Sequence, residues 1–253
     1  MPVTIKSEDE LNLMRKAGQL LAQVHEELHD ALRPGISTLE LDSIGEEAIR
    51  KRGGVPNCKD YEGYPASVCI SVNDEVVHGI PKAEVILKEG DIVSLDTGLI
   101  YKGFHSDAAR TWGVGKISPE AQKLIDITQQ SFFEGIKYAK AGNRLYDISK
   151  AIDSYIKPHG YGIVRELTGH GIGKELHEEP YIPNFRQFFK RGITLRPGMT
   201  LCVEPMITMG KRKIAFLDDE WTVVTLDGSL AAHYENTIAI RPEGEPEILT
   251  IIN

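Results

Sequence analysis

Cysteine is scarce in this chain: Cys58, Cys69 and Cys202 are the only three in 253 residues, and no Cys-x-x-Cys pair occurs. An odd, scattered set excludes a disulfide framework and points to a reducing compartment. No apolar run is long enough to span a membrane, and the polar, acidic first ten residues carry no signal-peptide core. Basic residues are outnumbered, 29 Lys and Arg against 37 Asp and Glu, so the net charge of −8 argues against a dedicated nucleic-acid binder. The remainder, 41% hydrophobic and 26% charged, is the balance of an ordinary globular chain rather than a disordered one. A cytoplasmic protein is the expectation.

The stretch from Asp91 to Trp112 reads as two strands joined by a tight turn near Tyr101, Lys102 and Gly103. A turn centred on Tyr101-Lys102 sets Asp96 opposite Asp107, because opposed positions of an antiparallel hairpin have a constant index sum. Opposed Cβ atoms lie about 4.5–5.5 Å apart. At an effective dielectric of about 20, two carboxylates about 5 Å apart repel by roughly 3 kcal/mol. A shared proton, a basic partner or a metal has to offset that repulsion.

The elements around the hairpin follow from caps and periodicity. Ser7 with Glu10, and Ser37 with Glu40, are capping-box patterns that open a long and a short helix, separated by Arg33-Pro34-Gly35. Ser118-Pro119 opens a third helix, closed by Gly142, and a fourth runs from Leu145 to Lys157. Ser67 to Val72 and Trp221 to Thr225 read as strands, Asp227-Gly228 as a type I′ turn, and Leu230 to Ile240 as the returning strand. A long helix, a glycine turn and a short helix thus occur twice, with Gly35 and Gly142 at the turns. An internal repeat at that offset carries Asp96 to the neighbourhood of Glu204, so a site between two similar halves is expected. The chain is taken as a single catalytic domain, 1–253, with halves of about 1–115 and 116–253.

Asp96, Asp107, Glu204 and Glu235 lie on apolar strand-like segments, and His170 lies in a glycine-flanked run. Four carboxylates balance two divalent cations, and a two-metal centre resolves the repulsion between the aspartates. Gly-His-Gly-Ile-Gly at 169–173, Leu-Asp-Thr-Gly at 95–98, Ser-Asp-Ala-Ala-Arg-Thr at 106–111 and Val-Glu-Pro-Met at 203–206 together resemble the type I methionine aminopeptidases. The resemblance runs from the first helix to Ile240. It implies an α+β pita-bread (creatinase/aminopeptidase) fold, two pseudo-symmetric halves around a dinuclear metal site. Neither an extended N-terminal zinc-finger region nor a large C-terminal insertion is expected, as in the short bacterial form.

The resemblance also implies roles. Asp96 would hold one metal, Asp107 and Glu235 would bridge both, and His170 and Glu204 would complete the second. Glu204 would shuttle a proton for the attacking water, His177 would stabilise the oxyanion, and His78 would contact the substrate backbone. Cys58, Tyr61, Tyr64, Cys69 and Trp221 would line the methionine pocket, where sulfur and aromatic walls suit a thioether. Leu176 departs from the family's frequent Phe before the second histidine. One His and four oxygen donors favour Mn²⁺, Fe²⁺ or Co²⁺ over structural zinc. Nascent polypeptides with a small second residue would be the substrates, met by a monomer in transient association with the ribosome. By that rule Met1-Pro2 is itself a substrate sequence. The competing readings are a proline-specific aminopeptidase or prolidase of the same fold, a metal-free binding protein of that fold, and a cysteine hydrolase at Cys58, around which no nucleophile motif forms.

Overall fold

The computed structural model describes residues 3–252; the expectation about Met1-Pro2 falls outside them. Among the described residues four α-helices form, the first three where their serine caps call for them: α1 (Glu8–Ala31), α2 (Thr38–Lys51), α3 (Pro119–Ile136) and α4 (Leu145–Ile156). The Ser7 hydroxyl accepts from the Glu10 amide and the Glu10 carboxylate accepts from the Ser7 amide, a complete capping box. Ser37 and Ser118 cap α2 and α3 in the same way from one side. Among the described residues no helix is long and apolar enough to cross a membrane.

Among the described residues fifteen strands, most of them short, complete the fold. In the first part of the chain they are β1 (Val55–Pro56), β2 (Cys69–Val72), β3 (Glu75–Val77), β4 (Ile92–Tyr101) and β5 (Phe104–Gly113). In the second part they are β6 (Gly162–Ile163), β7 (Gly169–Gly171), β8 (Glu178–Ile182), β9 (Thr200–Val203), β10 (Met206–Thr208), β11 (Ile214–Phe216), β12 (Val223–Thr225), β13 (Ala231–His233), β14 (Glu235–Ala239) and β15 (Glu247–Ile248). One large sheet runs β1-β4-β5-β14-β9-β7-β8, with β2 added on β4 and β15 on β14. Two three-stranded sheets, β13-β10-β6 and β11-β12-β3, lie beside it. Leu21, Leu28, Leu41 and Ile49 of α1 and α2 pack on Val93, Leu95 and Leu99 of β4. Leu124, Phe132, Ile148 and Ile152 of α3 and α4 pack with Leu201, Val203 and Ile238, on the same face of the sheet in its other half.

The two helix pairs are joined to the sheet by matching bonds. Gly35, at φ +92°, donates to Leu87 O at 2.8 Å; Gly142, at φ +90°, donates to Leu195 O at 2.9 Å. Leu87 N returns a bond to Ile36 O and Leu195 N to Asn143 O, each at 2.9 Å. Asp96 and Glu204 each follow their leucine by nine residues. This is the two-halved pita-bread architecture, and the correspondence falls one residue beyond the offset read from the glycines.

Three expectations need correction. Asp96 does not face Asp107: Asp96 pairs with Ala109 and Gly98 with Asp107. Lys102 (φ +50°) and Gly103 (φ +82°) are the two turn residues, so Tyr101 pairs with Phe104. Both central φ values of a type I′ turn are positive, and glycine belongs at the second of them. The aspartates share a face diagonally, which lowers their repulsion to about 2 kcal/mol at about 7 Å. Asp227-Gly228 does not close a hairpin either, because β12 pairs with β11 and β3 while β13 pairs with β10. The Asp227 carboxylate instead accepts from Lys211 N, Ser229 N and Ser229 Oγ, holding a crossing between two sheets. The returning strand is also broken at Tyr234, with β13 in a small sheet and β14 in the large one.

Candidate metal centre

The large sheet brings the candidate ligands together as two neighbouring cross-strand rows on one face. In the upper row Asp96 pairs with Ala109, and Ala109 with Glu235. Extending the β14–β9 register by one residue from Asn236↔Val203 sets Glu204 opposite Glu235. In the lower row Gly98 pairs with Asp107, Thr237 with Cys202 and Cys202 with His170. Thr237 closes that row: its hydroxyl accepts from Asp107 N at 3.0 Å and donates to Asp107 O at 2.8 Å. Because strand side chains alternate with a period of two, residues 96 and 98, 107 and 109, 202 and 204, and 235 and 237 all present the same face.

The Gly-His-Gly motif has a steric reason. A Cβ on Gly169 would lie 2.4 Å from Cys202 O, and one on Gly171 would lie 2.3 Å from Glu179 O. Only glycine lets β7 sit between β8 and β9 at the distance that carries His170 into the rows. His170 Nδ1 bonds Gly171 O at 2.8 Å, which leaves Nε2 facing Glu204 Oε1 at 3.5 Å and Asp107 Oδ2 at 3.9 Å.

Burial governs the charges here. Asp107 is 7% exposed, Glu235 2% and His170 4%. Burial pushes the Asp107 carboxyl up to about 7. Burial, reinforced by Asp107, raises Asp96 well above the usual carboxylate range. Burial with Asp96 and Asp107 does the same to Glu204, and burial with Asp107, Glu204 and Asp96 to Glu235. His170 is driven down to about 3 by burial and by His177. Among the described residues none of the four carboxylates has a Lys or Arg ion-pair partner. Asp107 Oδ1 and Glu235 Oε1 are buried without any hydrogen-bond partner. Orphaned carboxylate oxygens in a polar cleft carry a desolvation cost that a cation removes. Of the three ways to offset the repulsion, a basic partner is thus missing and divalent metal fits. One ligand atom each of Asp107, His170, Cys202 and Glu235 lies within 4.8 Å of the others.

A cleft of about 520 Å³ opens over the rows, and Asp96, Asp107, His170, Glu204 and Glu235 all line it, with His78 and His177 at its sides. Tyr61 Oη and His177 Nδ1 share a 2.8 Å hydrogen bond, so the imidazole turns Nε2 to the cleft. The His170 and His177 rings meet at 4.3 Å and 80°. The loop bearing His177 is pinned by Glu178, whose carboxylate pairs with Lys6 at 2.7 Å, both side chains buried at 4% and 5% exposure. His78 adopts φ +58°, a conformation that costs a residue with a Cβ about 1 kcal/mol. Burial, with His177, lowers its pKa to about 4. Cys58, Tyr61, Tyr64, Cys69 and Trp221 all line a side cavity of about 140 Å³, together with Leu176 and His177. The Tyr64 and Trp221 rings meet edge to face at 5.2 Å.

Some functional positions escape sequence reasoning. His233 is 1% exposed, both its ring nitrogens lack hydrogen-bond partners, and its Nε2 lies 3.9 Å from Glu204 Oε2. Asn184, fully buried, donates to Glu204 O at 2.9 Å. Cys202 and Thr237 sit between the candidate ligands Asp107 and His170. Period-two alternation from Glu204 and Glu235 would have found Cys202, Thr237 and His233; Asn184 and the Lys6 anchor carry no local signal.

Comparison with known proteins agrees with this geometry. Residues 12–242 match metallopeptidase family M24. A methionine aminopeptidase of Clostridium perfringens is 54% identical over 250 residues, covering 99% of each chain. The crystal structure of a methionine aminopeptidase from Thermotoga maritima superposes with a TM-score of 0.96 at 40% identity, covering 99% of this chain and 100% of that one. An Xaa-Pro dipeptidase from Bacillus anthracis superposes with a TM-score of 0.79 at 27% identity, and only 62% of its length is covered.

Proposed function

This chain belongs to metallopeptidase family M24, and within it to the methionine aminopeptidases of the short bacterial type; from that premise we propose how its cleft works. The enzyme is a hydrolase that removes the N-terminal methionine of a polypeptide. The observation that carries the assignment is the joint one: 54% identity over 99% of a methionine aminopeptidase, and four carboxylates under a cleft, of which Asp107 and Glu235 are buried with an oxygen unpartnered. The proline-specific alternative has less behind it, since its match is weaker and covers less of that protein.

Asp96, Asp107, His170, Glu204 and Glu235 would hold two divalent cations, Asp107 and Glu235 shared between them, Asp96 serving one and His170 with Glu204 the other. Mn²⁺, Fe²⁺ or Co²⁺ suits one imidazole and four carboxylates. When bound, the cations lower the pKa of a water and polarise the scissile carbonyl. Glu204 takes the proton of the attacking water and passes it to the leaving amine. The neutral His177, oriented by Tyr61 at Nδ1, donates from Nε2 to the developing oxyanion. His78 contacts the substrate backbone. The methionine side chain enters the cavity between Cys58, Tyr61, Tyr64, Cys69 and Trp221, and Leu176 forms part of its wall. The halves, about residues 1–115 and 116–253 of a single catalytic domain, enclose the scissile bond, so a bulky second residue clashes near the cations. Nascent polypeptides are the substrates, met by a monomer in transient association with the ribosome in the cytoplasm.

A panel of Met-X-Gly peptides and Ala-Pro, each with and without added metal, tests this. Metal-dependent cleavage of Met-Ala-Gly, slow cleavage of Met-Leu-Gly and no cleavage of Ala-Pro are expected. Faster hydrolysis of Ala-Pro than of Met-Ala-Gly overturns the assignment.

A further inference from the structure

The lower row contains a donor that the two-cation arrangement leaves unused. Cys202 stands between the ligands His170 and Asp107, with only Thr237 separating it from Asp107. Thr237 is engaged with the Asp107 backbone in both directions. The Cys202 thiol, 0% exposed, makes a long 3.6 Å contact with that same hydroxyl and lies within reach of the Glu235 carboxylate. Its sulfur lies within 4.8 Å of ligand atoms of Asp107, His170 and Glu235, and one oxygen each of Asp107 and Glu235 is buried without a partner. Thiolate, imidazole and carboxylate at such spacing form the ligand set that a tetrahedral thiophilic cation draws in to about 2.0–2.3 Å.

We propose that Asp107, His170, Cys202 and Glu235 form a sulfur-containing site for a soft divalent cation, zinc or cadmium, overlapping the hydrolytic centre. Thiolate donors select soft metals while carboxylates accept hard ones, so the one cleft binds two classes of ion in two ways. As the metal–sulfur bond forms, the thiol proton leaves to water; no electron is transferred. A soft ion held there occupies Asp107 and Glu235, the two ligands shared by both cations of the hydrolytic arrangement, and excludes that arrangement. The inference rests on the metal centre proposed above.

The test uses the full chain after chelation, titrated with Mn²⁺ by calorimetry and with Cd²⁺ by ultraviolet absorption, where thiolate-to-cadmium charge transfer gives a band of its own. Wild type should show the band, Cys202→Ser should lose it, and the Cys58→Ser/Cys69→Ser double variant should keep it. Cys202→Ser should also bind Cd²⁺ about 10–100-fold more weakly, with Mn²⁺ affinity changed by less than about threefold. Cys202→Ala repeats the comparison should the serine variant not fold. A band that survives in both Cys202 variants, or no band in a wild type that binds Mn²⁺, overturns the proposal. A wild type that binds no Mn²⁺ overturns the metal centre itself, and the sulfur site with it.

Discussion

Removing metal should invert the pH dependence of stability above pH 6.5, and the sign follows from the buried rows. A carboxyl whose folded pKa is raised holds its proton in the folded state after the unfolded chain has released it. Stability is therefore lost as pH rises from the unfolded value towards and through the folded one. Asp107, moved from 3.8 to about 7, behaves this way, and Asp96, Glu204 and Glu235 are displaced in the same direction. The buried histidines act oppositely: His170 and His233, lowered to about 3, cost stability as pH falls below the unfolded value of 6.5. Between pH 6.5 and 8 the five histidines held near 3 to 4, His25, His78, His105, His170 and His233, still return about 0.4 kcal/mol each, about 2 kcal/mol that the carboxyls must exceed. Over that interval Asp107 alone should cost about 0.8 kcal/mol, and each further carboxyl still protonated up to about 2 kcal/mol. With a urea m-value of about 3 kcal/mol/M, a net loss of about 3 kcal/mol moves the midpoint down by about 1 M. Urea titrations of chelated protein at pH 6.5, 7.2 and 8 measure it directly. The Mn²⁺-loaded protein should show a flat or rising midpoint, because its ligands must be deprotonated to bind. A chelated protein whose midpoint rises from pH 6.5 to 8 would refute the reasoning, since it would mean that the four carboxylates are already ionised without a cation.

Three further outcomes are expected. Asp107→Ala or Glu235→Ala should abolish metal-dependent cleavage of Met-Ala-Gly, each removing a ligand shared by both cations; full activity after exhaustive chelation would contradict this. His177→Ala should lower kcat by about 10²-fold with little change in KM, as for loss of one oxyanion donor, and steady-state kinetics separates that from a binding role in which KM alone moves. Gly169→Ala places a Cβ 2.4 Å from Cys202 O and should destabilise the fold by about 1–3 kcal/mol, seen as a lower urea midpoint, while weakening Mn²⁺ binding through His170.

Much of this molecule was legible before any coordinates. The helix starts were written in Ser7, Ser37 and Ser118, whose hydroxyls satisfy amides that the helix leaves unpaired, a local effect that needs no tertiary context. The carboxylates stood out because apolar strand neighbours make solvated faces improbable. The register of the β4–β5 hairpin differs by two residues from the one its sequence suggests, because glycine's place in the turn, not the symmetry of the flanking residues, sets it. The crossing at Asp227 and the break at Tyr234 were hidden for a different reason: both depend on which sheet the next strand joins, a long-range choice. Of the site, the resemblance named five candidate ligands, and the sheet shows that Cys202, Thr237 and His233 lie among them.

The position of β14 in the sheet has a consequence for the order of biosynthesis. It pairs with β5 on one side and β9 on the other, so it is the strand that joins the first half of the sheet to the second. It is also among the last strands to leave the ribosome, since chains are made and begin to fold from the N-terminus. Until residues 235–239 are inserted, Asp96 and Asp107 belong to one unfinished sheet and His170 and Glu204 to another. On the metal centre proposed above, half-made copies cannot assemble the full ligand set, and cation uptake would close a slow, long-range folding reaction. On that proposal, metal occupancy in a newly made molecule would read out insertion of β14, and chains that end before Glu235 are expected to be inert rather than partly active.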